Sequence, residues 1–281
     1  MIRIKKDLTD IPDSLYISQE NPLEYDKDKN CPKTSLTTQK RRLEIIKAKK
    51  YPNSQTINES VFTAKNKGSF DDRYKYKDIK EKLSDIYNDK CAYCETRERR
   101  LQVEHFRPKS KYYWLVYSWD NLLLSCSACN SRKLDVFEIE GTEAIFDEND
   151  FKNLNTISQK YNELEKPKLL NPENKQDAEF FKFFEFDKNG SIFSKNDRCD
   201  YTIKHLNFNE ERTLKKWRYQ ILKEFRESVE EAVRKSNFEK IKFHIEEFTK
   251  HAFDNPQSEY IAFRQFATEN IIEEIINEIL N

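Results

Sequence analysis

Glycine is scarce in this sequence, and its scarcity removes one class of function at the outset. The chain of 281 residues contains 3 glycines, Gly68, Gly141 and Gly190, and they lie far apart. A Walker-type phosphate-binding loop needs a pair of glycines in one short loop, followed by lysine and by serine or threonine. The sequence therefore contains no nucleotide-binding loop of that kind.

Net charge and long apolar runs are also missing. The 50 basic residues balance the 50 acidic ones, so no overall field attracts the chain to nucleic acid, and any polyanion site must be a local patch. No stretch approaches the roughly 18 consecutive apolar residues of a membrane span. No apolar run follows the charged residues at the start of the sequence. We therefore expect a protein that makes no membrane contact and is located in the cytoplasm.

The six cysteines are few, but four of them stand in two Cys-x-x-Cys pairs. These pairs are Cys91 with Cys94 and Cys126 with Cys129. In a reducing compartment such pairs favour metal over disulfides, and two pairs supply the four thiolates of a tetrahedral zinc site. Knuckles of this kind staple many unrelated domains, so alone they indicate a structural metal and little about function. The other two cysteines, Cys31 and Cys199, are interpreted as ordinary free thiols.

The residues between and after the two pairs predict a ββα unit. Residues 101–105 are typical of a strand, residues 121–125 of a second strand, and residues 128–136 of a helix. The fold class predicted for the whole chain is α+β, mostly α, with this zinc-stapled core between a helical N-terminal segment and a helical C-terminal domain. The predicted domains are residues 1–75, 76–140 and 141–281.

Helical spacing elsewhere predicts four longer helices. They cover residues 34–50, 76–88, 209–235 and 238–250, and a further helix is predicted from Pro256 to Leu280. The basic run at residues 40–42 has two readings, a solvated helix face or a contact with phosphates. The apolar stripe of the longest helix, which includes Trp217, is interpreted as core.

Four polar residues in the ββα unit form a candidate active site. Phosphodiester hydrolysis needs a base that deprotonates water, a cation at the phosphate and stabilisation of the leaving oxygen. His105 is the candidate base, and Glu104 and Asn130 are the candidate ligands of Mg²⁺ or Mn²⁺, since oxygen donors suit these ions better than zinc. Asn121 is expected to bond backbone groups across the intervening loop and so hold His105. Because side chains alternate along a strand, Glu104 and His105 share one centre only if the hairpin is strongly twisted or the ion sits at its edge.

Basic residues crowd the same segment and form the local patch that the overall charge lacks. The candidate nucleic-acid contacts are Arg107, Lys109, Lys111, Arg132 and Lys133. A histidine by itself is more often structural than catalytic, and His205, His244 and His251 have no metal-ligand spacing to another histidine or cysteine. The combination around His105 is what makes it the candidate base.

The combined motifs resemble those of the HNH (ββα-metal) nucleases. Within that class they are similar to the PtuB-type HNH proteins of the Septu and retron antiphage systems. The quoted text is Glu104-His-Phe-Arg-Pro-Lys109, Trp119-Asp-Asn-Leu-Leu123, Cys126-Ser-Ala-Cys-Asn-Ser-Arg-Lys133 and Leu170-Asn-Pro172. The resemblance implies that His105 is the general base, that Glu104 and Asn130 bind the catalytic ion, that Asn121 braces the loop, and that the four paired cysteines hold zinc. Many family members have aspartate or histidine in place of Glu104 and histidine in place of Asn130, so metal preference is open.

The resemblance also implies a separate ABC/SMC-like ATPase partner of the PtuA type, docked on the helical C-terminal third. The predicted function is a metal-dependent endonuclease, with DNA the favoured substrate and RNA open. Two alternatives remain: a zinc-knuckle protein that binds nucleic acid or acts as an adaptor without catalysis, and a stand-alone restriction-type HNH nuclease.

Overall fold

The structure is a computed structural model that describes residues 1–16, 33–50 and 72–281. The prediction for Cys31 lies outside the described residues. Cys199 is a free, buried cysteine. Within the described ranges the chain is α+β and mostly helical, as its sequence predicts.

The chain forms two compact units. The first, here called the ββα unit, comprises Lys5–Tyr87 and Arg100–Lys168. The second, called the helical unit, comprises Met1–Ile4, Asn88–Arg99 and Leu169–Asn281. The domain boundaries drawn from the sequence stay predictions.

A short antiparallel hairpin followed by a helix is the centre of the ββα unit. Strand β1 (Gln102–His105) pairs with strand β2 (Leu122–Ser125), and His105 lies opposite Leu122. All four residues of β2 are buried, as expected for a strand with a continuous apolar run. Helix α3 (Ser127–Lys133) follows directly and ends at Leu134, whose φ is +45°. Both predicted strands and the predicted helix are present, although the helix ends three residues early.

Two helices precede the hairpin. Helix α1 (Lys33–Lys50) and helix α2 (Lys77–Tyr87) match the predicted ranges, and a 3₁₀ turn, Asp72–Lys75, leads into α2. The expectation that residues 40–42 form a solvated or phosphate-contacting face is wrong for Arg41 and Arg42, which are 6% and 1% exposed. The Arg42 guanidinium donates to the carbonyl of Tyr117 at 2.7 Å, and burial lowers its pKa to about 9.

The rest of the ββα unit is mainly short helical turns around an aromatic core. Helix α4 (Asn162–Glu165) is its last α-helix, and Trp114, Trp119 and Tyr117 are all nearly inaccessible to solvent. Four 3₁₀ turns connect these parts: Tyr113–Leu115, Trp119–Asn121, Glu148–Asn153 and Ser158–Tyr161. This packing holds the long connection between β1 and β2 in one conformation.

The helical unit begins with the short helix α5 (Lys175–Ala178) and a small hairpin. Strands β3 (Glu185–Phe186) and β4 (Ile192–Phe193) pair antiparallel. Gly190 in the turn has a φ of +78°, and a Cβ there would lie 2.4 Å from the Lys215 carbonyl oxygen, so the position requires glycine.

The remaining helices of this unit pack against one another. Helix α6 covers Asp197–His205, α7 covers Leu214–Arg234, α8 covers Phe238–Phe253, α9 covers Ile261–Asn270 and α10 covers Ile272–Leu280. The single helix predicted from Pro256 to Leu280 is therefore wrong. It begins only after Tyr260, whose φ is +54°, and breaks at Ile271.

Helix α7 also differs from its prediction in its start and in its buried face. Asn209 does not cap it, because the Asn209 amide exchanges two hydrogen bonds with the backbone of Ile192 at 2.8 Å each. Trp217, expected in the core, is 41% exposed, whereas Arg218 is 4% exposed. The guanidinium of Arg218 reaches the carbonyls of Gly190 and Phe208. These hydrogen bonds compensate for burying the charge. Arg218 is therefore buried on α7, whereas the apolar spacing predicts that its neighbour Trp217 is buried.

Candidate active site

The four paired cysteines lie together in the structure. Their Sγ atoms are all within 4.8 Å of one another, and in a tetrahedral zinc site with Zn–S bonds of about 2.3 Å the sulfurs would be about 3.8 Å apart. Local turns preform each knuckle. Glu95 N donates to Cys91 O at 3.0 Å, and Cys129 N donates to the Cys126 Sγ at 3.4 Å. The cluster therefore suits a metal ion that prefers thiolates.

His105 ends β1 and is held on two sides. One ring nitrogen, Nε2, lies 3.0 Å from the carbonyl oxygen of Val116, and the ring of Tyr74 packs edge-on at 4.5 Å between centroids. A carbonyl oxygen only accepts, so Nε2 carries the proton of the neutral ring and Nδ1 keeps a lone pair. Burial is the main cause that lowers the pKa of His105 to about 3. The imidazole is therefore neutral at neutral pH, as a base must be.

Glu104 is paired with a buried lysine. Lys133 Nζ lies 2.7 Å from Glu104 Oε1 and donates to the carbonyl oxygen of His105 at 2.7 Å. Glu104 is 7% exposed and Lys133 is fully buried. Burial raises the pKa of Glu104, and the charge of Lys133 opposes that rise. One ammonium thus fixes both the carboxylate and the peptide group of the candidate base.

Asn130 shares the interface between β1 and α3 with Glu104. Its Nδ2 donates to Gln102 Oε1 at 2.5 Å, and Lys133, one turn further along α3, contacts Glu104. Residues two apart on a strand share a face, as do residues three apart on a helix. Glu104 and Asn130 therefore lie on the two faces that meet between β1 and α3. The amide nitrogen of Asn130 is engaged by Gln102, so its carbonyl oxygen is the atom that would meet a cation.

Asn121 makes backbone bonds across the loop that follows β1. Its Oδ1 accepts from Arg107 N at 2.8 Å, and its Nδ2 donates to the carbonyls of Arg107 at 3.1 Å and Leu115 at 3.3 Å. These contacts close the loop that carries Val116, the residue whose carbonyl bonds His105. The arrangement fits the expected bracing, and the role itself stays a prediction.

Arg107 is a structural residue, which corrects the expected nucleic-acid patch. It is fully buried, and its guanidinium donates to Glu165 at 2.7 Å, Ser158 at 3.0 Å and Asn162 at 2.8 Å. Lys133 is equally buried. Desolvating a cation is costly unless it is paired, and both are paired internally. Neither lies on a surface that a nucleic acid would touch.

The other three basic residues of the patch are more accessible. Lys109 is half-buried and donates to the Tyr74 hydroxyl at 2.6 Å. Lys111 is exposed and forms an ion pair with Glu143 at 2.7 Å, and Arg132 is half-buried. The positive charge of Lys109 also acts to lower the pKa of Glu104 and of His105.

Two features of this site do not follow from the sequence prediction. Tyr74 lies 31 residues before His105 in a short turn without periodicity, so the sequence gives no signal of their contact. The charge of Lys133 predicts a nucleic-acid contact, although its spacing of three residues from Asn130 on α3 indicates that the two side chains share a face.

Strand β1 ends in the buried residues Glu104 and His105, and helix α3 packs against this strand, which is the ββα arrangement that the sequence predicts. Residues 91–135 match the family model described as HNH endonuclease. The resemblance drawn from the sequence is therefore confirmed, and these findings support a nuclease enzyme.

Curated relatives refine this class. The chain is 37% identical over 103 residues to the Septu protein PtuB of Bacillus mycoides (strain KBAB4), covering 31% of this chain and 35% of that protein. It is 48% identical over 59 residues to the Septu protein PtuB of Bacillus thuringiensis, covering 20% of this chain and 23% of that protein. These matches support an HNH endonuclease of the PtuB type, although they span about a third or less of those relatives.

A third relative carries a different name. The chain is 27% identical over 154 residues to the Septu protein PtuA of Bacillus mycoides (strain KBAB4), covering 49% of this chain and 20% of that protein. In the described ranges, no helix combines the length and the apolar character that crossing a membrane requires.

Proposed function

We propose that this protein is a metal-dependent endonuclease that hydrolyses phosphodiester bonds in nucleic acid as the effector of a Septu-type antiphage system. The observation that carries the proposal is the neutral His105 ring, fixed by the Val116 carbonyl with Nδ1 as its basic nitrogen, together with the buried Glu104 carboxylate, whose partner Lys133 also bonds the His105 carbonyl. The match of residues 91–135 to HNH endonucleases supports the same reading.

Two metals belong to the proposal. Zn²⁺ would be held by the four clustered cysteines, whose thiolates suit it, and would have a structural role. Mg²⁺ or Mn²⁺ would be held by Glu104 and Asn130, whose oxygen atoms suit these ions. When bound, the divalent ion supplies charge that stabilises the phosphorane transition state and the leaving 3′ oxygen.

The protein residues would act through position and proton transfer. His105 Nδ1 accepts the proton of the attacking water, and the bond from Nε2 to Val116 keeps the ring in the required orientation. Asn121 closes the loop that presents Val116. Lys133 holds the Glu104 carboxylate before the metal binds. The expected products have 5′-phosphate and 3′-hydroxyl ends.

Substrate and partner rest on the similarity rather than on geometry. We take DNA as the favoured polymer from the wider HNH class, with RNA the competing one. An ATPase of the PtuA type is the proposed partner, because both PtuB relatives are named as Septu proteins and the sequence has no Walker-type loop. The similarity to PtuA itself indicates a shared region, since it covers 20% of that protein.

The test compares the wild type with His105→Ala, each alone and with the ATPase, on plasmid DNA and on total RNA in Mg²⁺ and in Mn²⁺. We expect cleavage by the wild type and a loss of about 10²- to 10⁴-fold in the variant. Equal cleavage by both proteins would refute His105 as the base. Retained binding of nucleic acid without cleavage in any combination would favour the non-catalytic binding protein, and cleavage that never needs the ATPase would favour the stand-alone nuclease.

A further inference from the structure

A tyrosine from outside the matched segment covers the candidate base. Tyr74 belongs to the 3₁₀ turn Asp72–Lys75, whereas the family match covers residues 91–135. Its ring stands nearly perpendicular to the His105 ring, at 72° and 4.5 Å between centroids. Tyr74 and His105 are 4% and 6% exposed. The edge-on contact and the Val116 carbonyl together leave the imidazole little freedom to rotate.

The hydroxyl of Tyr74 points away from that contact to a cation. Lys109 Nζ donates to Tyr74 Oη at 2.6 Å, so the Tyr74 O–H hydrogen remains a donor for another acceptor. Accepting a bond from an ammonium polarises the hydroxyl and strengthens its own donation. Lys75 Nζ and Lys109 Nζ lie 5.4 Å and 4.5 Å from the centroid of the Tyr74 ring. Two cationic groups therefore lie close to this tyrosine.

One acid competes for the hydroxyl when no substrate is bound. Asp72 pairs with Lys75 at 2.9 Å and its side chain is 71% exposed. The pKa of Asp72 is lowered chiefly by Lys75, with a smaller part from a hydrogen bond with Tyr74. An exposed carboxylate is easily displaced, and a phosphate oxygen would offer the Tyr74 hydroxyl an acceptor of the same charge.

We propose that Tyr74 is a positioning and substrate-binding residue of this site: its ring holds His105, and its hydroxyl, together with Lys109, binds a phosphate oxygen of the nucleic-acid strand next to the scissile bond. The inference rests on the proposed nuclease function. A core tyrosine with no functional role would need neither the hydroxyl nor its ammonium partner, and this difference makes the proposal testable.

The experiment separates the ring from the hydroxyl. Tyr74→Phe keeps the ring, Tyr74→Leu removes both parts, and Lys109→Met removes the cation. Tyr76→Phe is the matched control, since Tyr76 accepts from Arg73 at 2.7 Å. Purified full-length proteins are compared for steady-state cleavage of a fluorescein-labelled oligonucleotide of the polymer that the wild type cuts. Affinity is measured by anisotropy on the same probe with Ca²⁺ in place of Mg²⁺.

The expected result is a split between binding and turnover. Tyr74→Phe and Lys109→Met each weaken affinity about tenfold, the effect of losing a hydrogen bond to a charged group, and Tyr74→Phe keeps kcat within about twofold. Tyr74→Leu lowers kcat by about tenfold or more, and phenylalanine restores it. The Tyr74→Phe, Lys109→Met double variant loses less than the sum of the singles in free energy, because both groups hold one phosphate.

Several outcomes overturn the inference. If His105→Ala is inactive but Tyr74→Phe and Tyr74→Leu both match the wild type, this inference fails and the nuclease stands. If Tyr74→Leu does not fold, the affinity of Tyr74→Phe decides, and a value equal to that of Tyr76→Phe refutes the hydroxyl role. If the wild type cuts neither polymer, or His105→Ala cuts as well as the wild type, the nuclease proposal fails and this inference fails with it.

Discussion

Replacing Arg107 with methionine tests whether its buried ion pair with Glu165 stabilises the ββα unit that contains the candidate active site. Arg107 and Glu165 are both fully buried, and Arg107 Nε lies 2.7 Å from Glu165 Oε2. The other guanidinium nitrogens donate to Ser158 and Asn162. The backbone N–H of Arg107 donates to the Asn121 side chain, and the backbone carbonyl of Arg107 accepts from it. Losing the side chain should therefore weaken both the unit and the loop that holds His105.

The size of the effect follows from what the substitution leaves behind. Breaking a buried ion pair by removing one partner costs about 3–5 kcal/mol, because the other charge stays buried. Methionine keeps most of the aliphatic stem, so little packing is lost. Glu165 retains one bond, from Ala144 N to Oε1 at 2.9 Å. We expect the free energy of unfolding to fall by about 4 kcal/mol, near the middle of that range.

Adding Glu165→Gln to Arg107→Met should recover part of the loss, since the orphaned charge is removed and the acceptor for Ala144 is kept. The assay is urea unfolding followed by fluorescence in a Trp217→Phe background, where Trp114 and Trp119 report the ββα unit alone. Lys168→Met, which breaks the exposed pair with Glu138, is the matched control and should cost less than about 1 kcal/mol. A loss that small in Arg107→Met, or a double variant less stable than the single, would refute the reasoning.

Three further predictions follow from the same site. Cys129→Ser should lower the zinc bound per chain, measured by mass spectrometry on the purified protein, and should lower the melting temperature, because a structural metal stabilises the fold that binds it; unchanged zinc content would contradict the thiolate site. Lys133→Met should lower kcat by about 10- to 100-fold, the usual effect of losing a group that orients a metal-ligating carboxylate, while nucleic-acid affinity stays near wild type. A loss of affinity would instead indicate that Lys133 contacts the substrate. Burial raises the pKa of Asp120 from 3.8 to about 6. Between these two pH values the folded state binds more protons than the unfolded state, so the free energy of unfolding falls as the pH rises. Asp120→Asn should remove up to about 3 kcal/mol of the fall in the free energy of unfolding between pH 4 and pH 7, measured by urea unfolding at both pH values. An equal fall in the wild type and the variant would rule out this linkage.

The parts of the fold that the sequence predicts are those with a local cause. The hairpin and α3 follow from cysteine pairs whose spacing fixes the turns and from apolar runs that fill both strands. The break at Ile271 has no such signal, because neither glycine nor proline stands there and the residues on both sides form helices. Arg218 shows the same limit, since its burial depends on carbonyls of Gly190 and Phe208 that no periodicity reveals.

The candidate site divides in the same way. Residue type and spacing are enough to make His105, Glu104 and Asn130 candidates, and their roles stay predictions. Tyr74 could not be named in this way, because it reaches His105 through tertiary packing across 31 residues. The charges of Arg107 and Lys133 predict positions on the surface. In the structure both side chains are buried and form internal ion pairs with Glu165 and Glu104. A basic residue beside a catalytic motif is thus a poor guide to substrate contact until its acceptors are known.

That reassignment changes where the affinity for nucleic acid must come from. Each phosphate neutralised by a basic residue adds to binding through counterion release, and two of the five basic residues near the site are unavailable for it. Lys111 is already paired with Glu143, and the chain as a whole has no net charge. Lys109 donates to the hydroxyl of Tyr74, whose ring packs on the candidate base, and in the proposed arrangement that hydroxyl supplies a second contact to the phosphate. From the limited positive charge of the described residues around the site, we expect the chain by itself to bind a long polyanion weakly, and a partner that also contacts the nucleic acid would strengthen that binding.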